Sequence, residues 1–407
     1  MSRFPPVLRD DWIAAPDGLA PLPGGSVTSP PGYVAAGVAC GLKASGARDL
    51  GILRALGPVA SAYVDTTSAL PAAPVRRTRS LDTARLRAVV VNAGTANAAT
   101  GSPGVEDAHA MAARAAALIG LDPGEVAVCS TGTIGDRIDM GIAGAGIDAA
   151  AAALSPDGGA DFGAAICTTD RAPKGGAFTL ALSSGTVTIG CAAKGAGMIR
   201  PDMATMLAYV TTDAALAPAD LQAMTAAAAA GGFNRISVDA QMSPSDTLLV
   251  MAAGEGPVLA GADRDLFAAA LAAVCRWMAI QMVKDGEGAE HAVRVVVRGA
   301  RDEAEAERVA RAVGESSLVK TAINGRDPNW GRISQAVGQA LAGAAGAVAE
   351  PEVSVDGVPF GDEGALAVLD REEYDLEVGL GRGGAEAAIW VSDLGHSYIT
   401  INAEYHT

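Results

Sequence analysis

The run of residues best equipped to do chemistry is Lys194-Gly195-Ala196-Gly197-Met198-Ile199-Arg200-Pro201-Asp202-Met203-Ala204-Thr205-Met206-Leu207. Its glycines and proline allow bends that other residues resist. The small Ala204 stands directly before the hydroxyl residue Thr205. A hydroxyl placed there can attack the preceding carbonyl to give an ester, which water then splits, leaving Thr205 as a new N-terminus. Its α-amine, with a free pKa of ~7.7–8.0, can act as base for its own hydroxyl. The β-branch of threonine restricts χ1 and holds the oxygen in place. The same run also reads as a Gly-rich turn entering a core strand, and the segment alone favours that reading.

The elements that would position this segment alternate along the chain. Strand-like runs are expected at 86–92, 126–130, 186–191, 206–211, 247–252, 293–297, 387–391 and 398–401. Residues 178–182 and 186–191 flank Ser183-Ser184-Gly185 as a hairpin. Helical runs are expected at 105–119, 218–230, 264–284, 303–313 and 332–344. The mixture predicts an α/β or α+β fold with sheets covered by helices. Residues 1–30, rich in Pro and Gly, read as an irregular lead-in. The run after Thr205, Met206-Leu207-Ala208-Tyr209-Val210, has a buried-strand pattern, so a break at Ala204–Thr205 would lie inside a folded core.

Composition narrows the function classes. Half of the 407 residues are hydrophobic and only 4% aromatic, which predicts a large core packed with small side chains. The net charge of −16 argues against nucleic acid or an anionic membrane as partner, so an anionic substrate must be drawn in by a few local cations. The N-terminal residues show no signal-peptide pattern, and no apolar run approaches the ~18–20 residues of a membrane span. Cys40, Cys129, Cys167, Cys191 and Cys275 form no CxxC and read as reduced thiols of a cytoplasmic protein. The four histidines lack ligand spacing, so no metal is expected. Gly144-x-Gly146 follows no clear strand and is dismissed as a dinucleotide loop.

Six segments together resemble the ornithine acetyltransferase (glutamate N-acetyltransferase) family of arginine biosynthesis. They are the 194–207 run, Cys129-Ser130-Thr131-Gly132-Thr133-Ile134-Gly135, Thr168-Thr169-Asp170, Asp285-Gly286-Glu287-Gly288, Asp327-Pro328-Asn329-Trp330-Gly331-Arg332-Ile333 and Asn402-Ala403-Glu404-Tyr405-His406-Thr407. The resemblance spans nearly the whole chain. It implies sheets sandwiched between helical layers, a fold shared with self-processing aminopeptidases. It implies autocatalytic cleavage at Ala204–Thr205 into chains 1–204 and 205–407, which stay together as two α and two β chains. The reaction it implies is ping-pong: Thr205 takes acetyl from N-acetylornithine and passes it to glutamate, without a cofactor. Some members also accept acetyl-CoA, which makes it a candidate donor.

Residue roles follow from the same resemblance. Thr131 and Gly132 match the oxyanion-hole pair, whose donors face charge that appears only in the tetrahedral intermediate; without the resemblance they read as a strand-end turn. Thr168, Lys194, Thr205, Glu287, Asn402 and Thr407 match substrate-contacting positions. Lys194 suits an α-carboxylate, Glu287 an ammonium, and Asn402 and Thr407 the polar ends. The alternative for Lys194 and Glu287 is a solvated surface pair. For Asn329-Trp330-Gly331-Arg332, a core or interface anchor weighs at least as much as a catalytic role.

The sequence also departs from the family pattern. Thr95 stands for an Asn and Ala99 for a Cys, and Ser68 stands for an Asn. The family's Asp-Gly-Asp-Thr-Ser-Thr-Asn-Asp becomes Asp239-Ala240-Gln241-Met242-Ser243-Pro244-Ser245-Asp246. Ala289-Glu290-His291 and Gly395-His396-Ser397 differ as well. These changes fit ordinary divergence within arginine biosynthesis, or a relative with an altered acyl donor or acceptor in specialised metabolism. A hydrolase or aminopeptidase on the same machinery, and a paralogue without activity, are the competing functions.

Overall fold

The computed structural model describes residues 2–200 and 206–404. Ala204, Thr205 and Thr407 therefore lie outside the described residues. Among the described residues three sheets carry the chain. The central one has six strands in the order Leu19–Leu22, Lys174–Leu182, Gly185–Lys194, Leu207–Thr212, Thr247–Ala252 and Ala60–Asp65. A four-stranded sheet follows the order Tyr33–Val38, Leu50–Ala55, Ala88–Thr95 and Val126–Thr133. A C-terminal six-stranded sheet is built around Ala292–Ala300, which lies between Ala385–Ser392 and Glu373–Gly379.

The first two sheets stack face to face, and helices cover both outer faces. Successive residues of a strand point to opposite sides, and the strand Ala88–Thr95 uses both. Val89 and Val91 pack toward Leu207, Tyr209 and Leu249 of the central sheet. Ala88 and Val90 pack toward the helices Gly101–Ile119 and Met140–Ala152. The other face of the central sheet meets Pro218–Gly231 and Gly261–Lys284 through Phe178, Ile189, Val210 and Leu248. The expected layering of sheets between helices is present. The helix Gly261–Lys284 is long and apolar enough to meet a membrane-span criterion that the sequence reading missed, yet 72% of its apolar stretch is buried here as a core helix.

The junction sits between neighbouring strands of the central sheet. Gly185–Lys194 pairs antiparallel with Leu207–Thr212, with Lys194 opposite Leu207. Strands from both sides of Ala204–Thr205 thus share one hydrogen-bonded sheet. Ala60–Asp65, from before the junction, also pairs with Thr247–Ala252, from after it.

Two expectations are corrected. The lead-in is not irregular throughout: Leu19–Leu22 pairs with Lys174–Leu182, and Trp12 is buried with its Nε1 donating to Asp375 at 2.8 Å. Residues 398–401 are not a strand but part of the helix His396–Glu404. There Asn402 Nδ2 donates back to the Tyr398 carbonyl at 3.0 Å, and tertiary docking overrides the β-propensity of Tyr398-Ile399-Thr400-Ile401.

Candidate active site

The parallel pair Ala88–Thr95 and Val126–Thr133 brings two glycines side by side, Gly94 opposite Gly132 and Ala93 opposite Thr131. Gly132 has φ +129°, and a Cβ there would lie 2.2 Å from the Gly94 carbonyl carbon. No other residue type fits this strand end. Asn92 locks it, accepting from Ser130 Oγ at 2.6 Å and donating to the Thr95 carbonyl at 2.9 Å.

Lys194 ends its strand only 2% exposed, and its Nζ donates to Thr168 Oγ1 at 3.0 Å. Burial lowers its pKa, and nearby Asp170 partly offsets that effect. Asp170 accepts from the Gly195 amide at 2.7 Å and the Thr168 amide at 3.0 Å. It is also paired with buried Lys174, which bridges to Asp285. Burial alone would raise the Asp170 carboxyl, but Lys174 and Lys194 pull it down to about 2. This fixed anion, not a surface partner, holds the turn before the junction. The reading of Lys194 and Glu287 as a solvated pair is overturned, because Lys194 is buried and Glu287 pairs elsewhere.

Glu287 follows the helix Gly261–Lys284 and faces Gly197. A Cβ on Gly197 would lie 2.5 Å from the Glu287 carboxylate, so glycine makes room for it. The Glu287 amide donates to the Ala196 carbonyl at 2.9 Å, and Glu287 Oε2 accepts from Asn402 Nδ2 at 2.8 Å.

Thr131, Gly132, Thr168, Lys194, Glu287 and Asn402 all line one cavity of ≈ 120 Å³, together with Ala96, Ile134 and Pro244. Six predicted positions from distant stretches of sequence thus meet in one place. One wall carries a cation, another a carboxylate, and a glycine turn lies between them. An amino acid derivative fits that polarity.

One loop holds both flanks of the junction. Upstream, Asp239 accepts from the Met198 and Ile199 amides at 2.6 and 2.8 Å, with Met198 at φ 54°. Downstream, Asp246 Oδ1 accepts from the Met206 amide at 2.9 Å. Asp246 is 0% exposed, and its Oδ2 has no hydrogen-bond partner among the described residues. Burial pushes its pKa well above the carboxylate range, against the pull of the Met206 amide and Lys194.

The ArgJ family model matches residues 34–407. The arginine biosynthesis bifunctional protein ArgJ of Symbiobacterium thermophilum is 44% identical over 402 residues, covering 94% of this chain and 99% of that one. The chain belongs to the ArgJ family. The ArgJ protein of Chlorobaculum tepidum is 41% identical over 392 residues, covering 93% of this chain and 96% of its own. A solved ornithine acetyltransferase from Mycobacterium tuberculosis, complexed with ornithine, is 40% identical with a TM-score of 0.43, covering 46% of this chain and 100% of that one.

Within this ArgJ-family chain one sequence reading changes. Trp330 is not a core anchor: it is 55% exposed at the start of the helix Trp330–Ala340, where Asn329 Oδ1 caps the Arg332 amide at 3.2 Å. Gly144 and Gly146 lie inside the helix Met140–Ala152, consistent with dismissing a nucleotide loop. Asp170, Lys174, Asp285, Asp239 and Asp246 were not singled out. Asp170, Asp285, Asp239 and Asp246 stood at the ends of quoted motifs, which was the available signal.

Proposed function

We propose that the chain cleaves itself between Ala204 and Thr205 and then carries acetyl on Thr205 from N2-acetylornithine to glutamate. The observation that carries this reading is the convergence of Thr131, Gly132, Thr168, Lys194, Glu287 and Asn402 on one cavity. Family membership supports acyl transfer in arginine biosynthesis.

In the first half-reaction the Thr205 hydroxyl attacks the acetyl carbonyl. Thr131 and Gly132 stabilise the oxyanion. The amide C–N bond breaks, an ester forms on Thr205, and the hydroxyl proton leaves with the ornithine amine by way of the Thr205 α-amine. Lys194 receives the substrate carboxylate, and Glu287 with Asn402 the distal ammonium. The glutamate amine then attacks the ester and regenerates the hydroxyl. Thr407 contributes at the polar end. The site needs no cofactor and no metal; acetyl-CoA is a candidate alternative donor.

Chains 1–204 and 205–407 stay together because strands from both build the central sheet. Two copies of each chain form the assembly. The five free thiols suit the reducing cytoplasm.

Supplying N-acetylornithine with and without glutamate tests the reaction. Ornithine release coupled to N-acetylglutamate formation is expected. Rapid ornithine release with no N-acetylglutamate would make the protein a hydrolase.

A further inference from the structure

Glu287 and Asn402 line the cavity from segments more than a hundred residues apart, and one buried carboxylate stands at the root of both. It belongs to Asp393, which directly follows the strand Ala385–Ser392. Its Oδ1 accepts from the Glu290 and His291 amides at 2.9 and 3.1 Å. Its Oδ2 accepts from Asn324 Nδ2 at 2.7 Å and faces His291 Nδ1 at 3.2 Å. Burial raises the Asp393 carboxyl, but the His291 and Asn324 side chains and the two amides outweigh it and hold the group below its ordinary value. An ionised carboxylate only accepts, so His291 Nδ1 carries a hydrogen.

The helix Ser317–Asn324 holds the same residue from behind. Besides Asn324 it supplies Lys320, whose buried amine donates to the Ser392 carbonyl and, at 3.3 Å, to Ser392 Oγ. The Lys320 carbonyl accepts from the Leu394 amide at 3.2 Å. The backbone on both sides of Asp393 is thus fixed to one helix.

Two arms run from Asp393 to the cavity. The first starts at His291 and Glu290 and leads back to Glu287, where the Ala289 amide donates to the Gly286 carbonyl at 2.8 Å and closes a turn. The second is the helix His396–Glu404, which begins three residues past Asp393 and carries Asn402. The arms touch twice. Gly288, at φ +71°, lies against the start of the helix, where a Cβ would come within 2.5 Å of the Tyr398 amide nitrogen. Glu287 Oε2 and Asn402 Nδ2 then meet at 2.8 Å. The contacts form a closed ring, so a shift at Asp393 moves both arms.

We propose that Asp393, held by His291 and Asn324, is a positioning residue that sets where Glu287 and Asn402 receive the distal ammonium, and so sets the preference for a donor amino acid that carries one. The inference rests on the reading of Glu287 and Asn402 as receivers of that ammonium. No substrate bond is made or broken at Asp393; it acts through the two residues that it places.

The test compares N-acetylornithine with N-acetylnorvaline, the same chain without the distal amine. Glutamate is the acceptor, and kcat and KM are read from N-acetylglutamate formation on the full protein. The unaltered protein is expected to prefer N-acetylornithine by about 10²-fold or more in kcat/KM, since a site built for a polar group rejects the analogue that lacks it. Asp393→Asn keeps the size but removes the charge and turns one acceptor into a donor. It is expected to cut the preference about tenfold, a small misplacement far from the chemistry being sufficient. The loss should fall on KM for N-acetylornithine rather than on kcat. His291→Leu is expected to give a smaller loss in the same direction, and His291→Asn, which keeps a donor in place of Nδ1, to recover it. An equal fall on both substrates in folded Asp393→Asn makes the residue structural only and overturns the inference. Glu287→Gln separates this inference from the reading beneath it. A preference absent from the unaltered protein, or untouched in Glu287→Gln, overturns the role of Glu287 and this inference with it. A preference lost in Glu287→Gln but kept in Asp393→Asn overturns this inference alone. If Asp393→Asn does not fold, His291→Leu decides, and an unchanged preference there overturns the inference.

Discussion

Asp239 and Asp246 stand on one loop and hold the two sides of the same junction, yet their surroundings differ. Asp239 is half-buried and saturated, accepting from the Met198, Ile199 and Gln241 amides and the Tyr398 hydroxyl. Asp246 is fully buried, accepts one amide, and keeps one oxygen without a partner among the described residues. A saturated carboxylate holds backbone in place. A buried carboxyl that accepts from the amide of Met206, the residue after the predicted nucleophile, and keeps an oxygen unpartnered among the described residues is equipped to handle a proton. On this comparison the upstream flank is expected to serve architecture and the downstream flank chemistry.

Substitution at both positions can break that assignment. Asp246→Ala is expected to lower kcat for acyl transfer by about 10²-fold, the lower range for loss of a positioned acid–base group. Asp246→Asn keeps an acceptor for the Met206 amide. It is expected to restore stability without restoring kcat; full rescue by Asn would reduce Asp246 to a second clamp. Asp239→Ala strips the acceptor from the Met198 and Ile199 amides and is expected to cost about 1–3 kcal/mol in urea unfolding. Its folded fraction should lose far less activity than Asp246→Ala. Equal kinetic losses at the two positions would erase the distinction.

A smaller effect sharpens the comparison at a third carboxylate. Asp170 titrates at about 2 in the fold, below its ordinary value of 3.8. Its contribution to stability is therefore present above the ordinary value and lost as pH falls through about 2. Urea midpoints measured at about pH 4.5 and about pH 2.5 should differ less in Asp170→Asn than in the unaltered protein. An unchanged difference would remove Asp170 from the group of buried, ionised anchors.

The parts legible in sequence were those with local signals. The strand Thr247–Ala252 was read to the residue, and the hairpin around Ser183-Ser184-Gly185 was found because its turn chemistry is local. Tyr33–Val38 escaped because both of its faces are buried, so Tyr-Val-Ala-Ala-Gly-Val carries no alternation. The helix His396–Glu404 was misread because its β-branched run looks like a strand, while its docking on Glu287 is a contact across more than a hundred residues. The site shows the same split. Motif residues were found by resemblance, and the cavity brings six of them together. The grip of Asp239 and Asp246 on residues some forty positions away is a property of the folded chain, and no local pattern announces it.

The central claim is self-cleavage at Ala204–Thr205, and the intact mass of the purified protein under denaturing conditions tests it most directly. The account predicts two chains, each close to half the 40.5 kDa of the precursor, one of them beginning Thr205-Met206-Leu207. It also predicts a single uncut chain for Thr205→Ala. A single uncut species in the unaltered protein, or two fragments in Thr205→Ala, would contradict it.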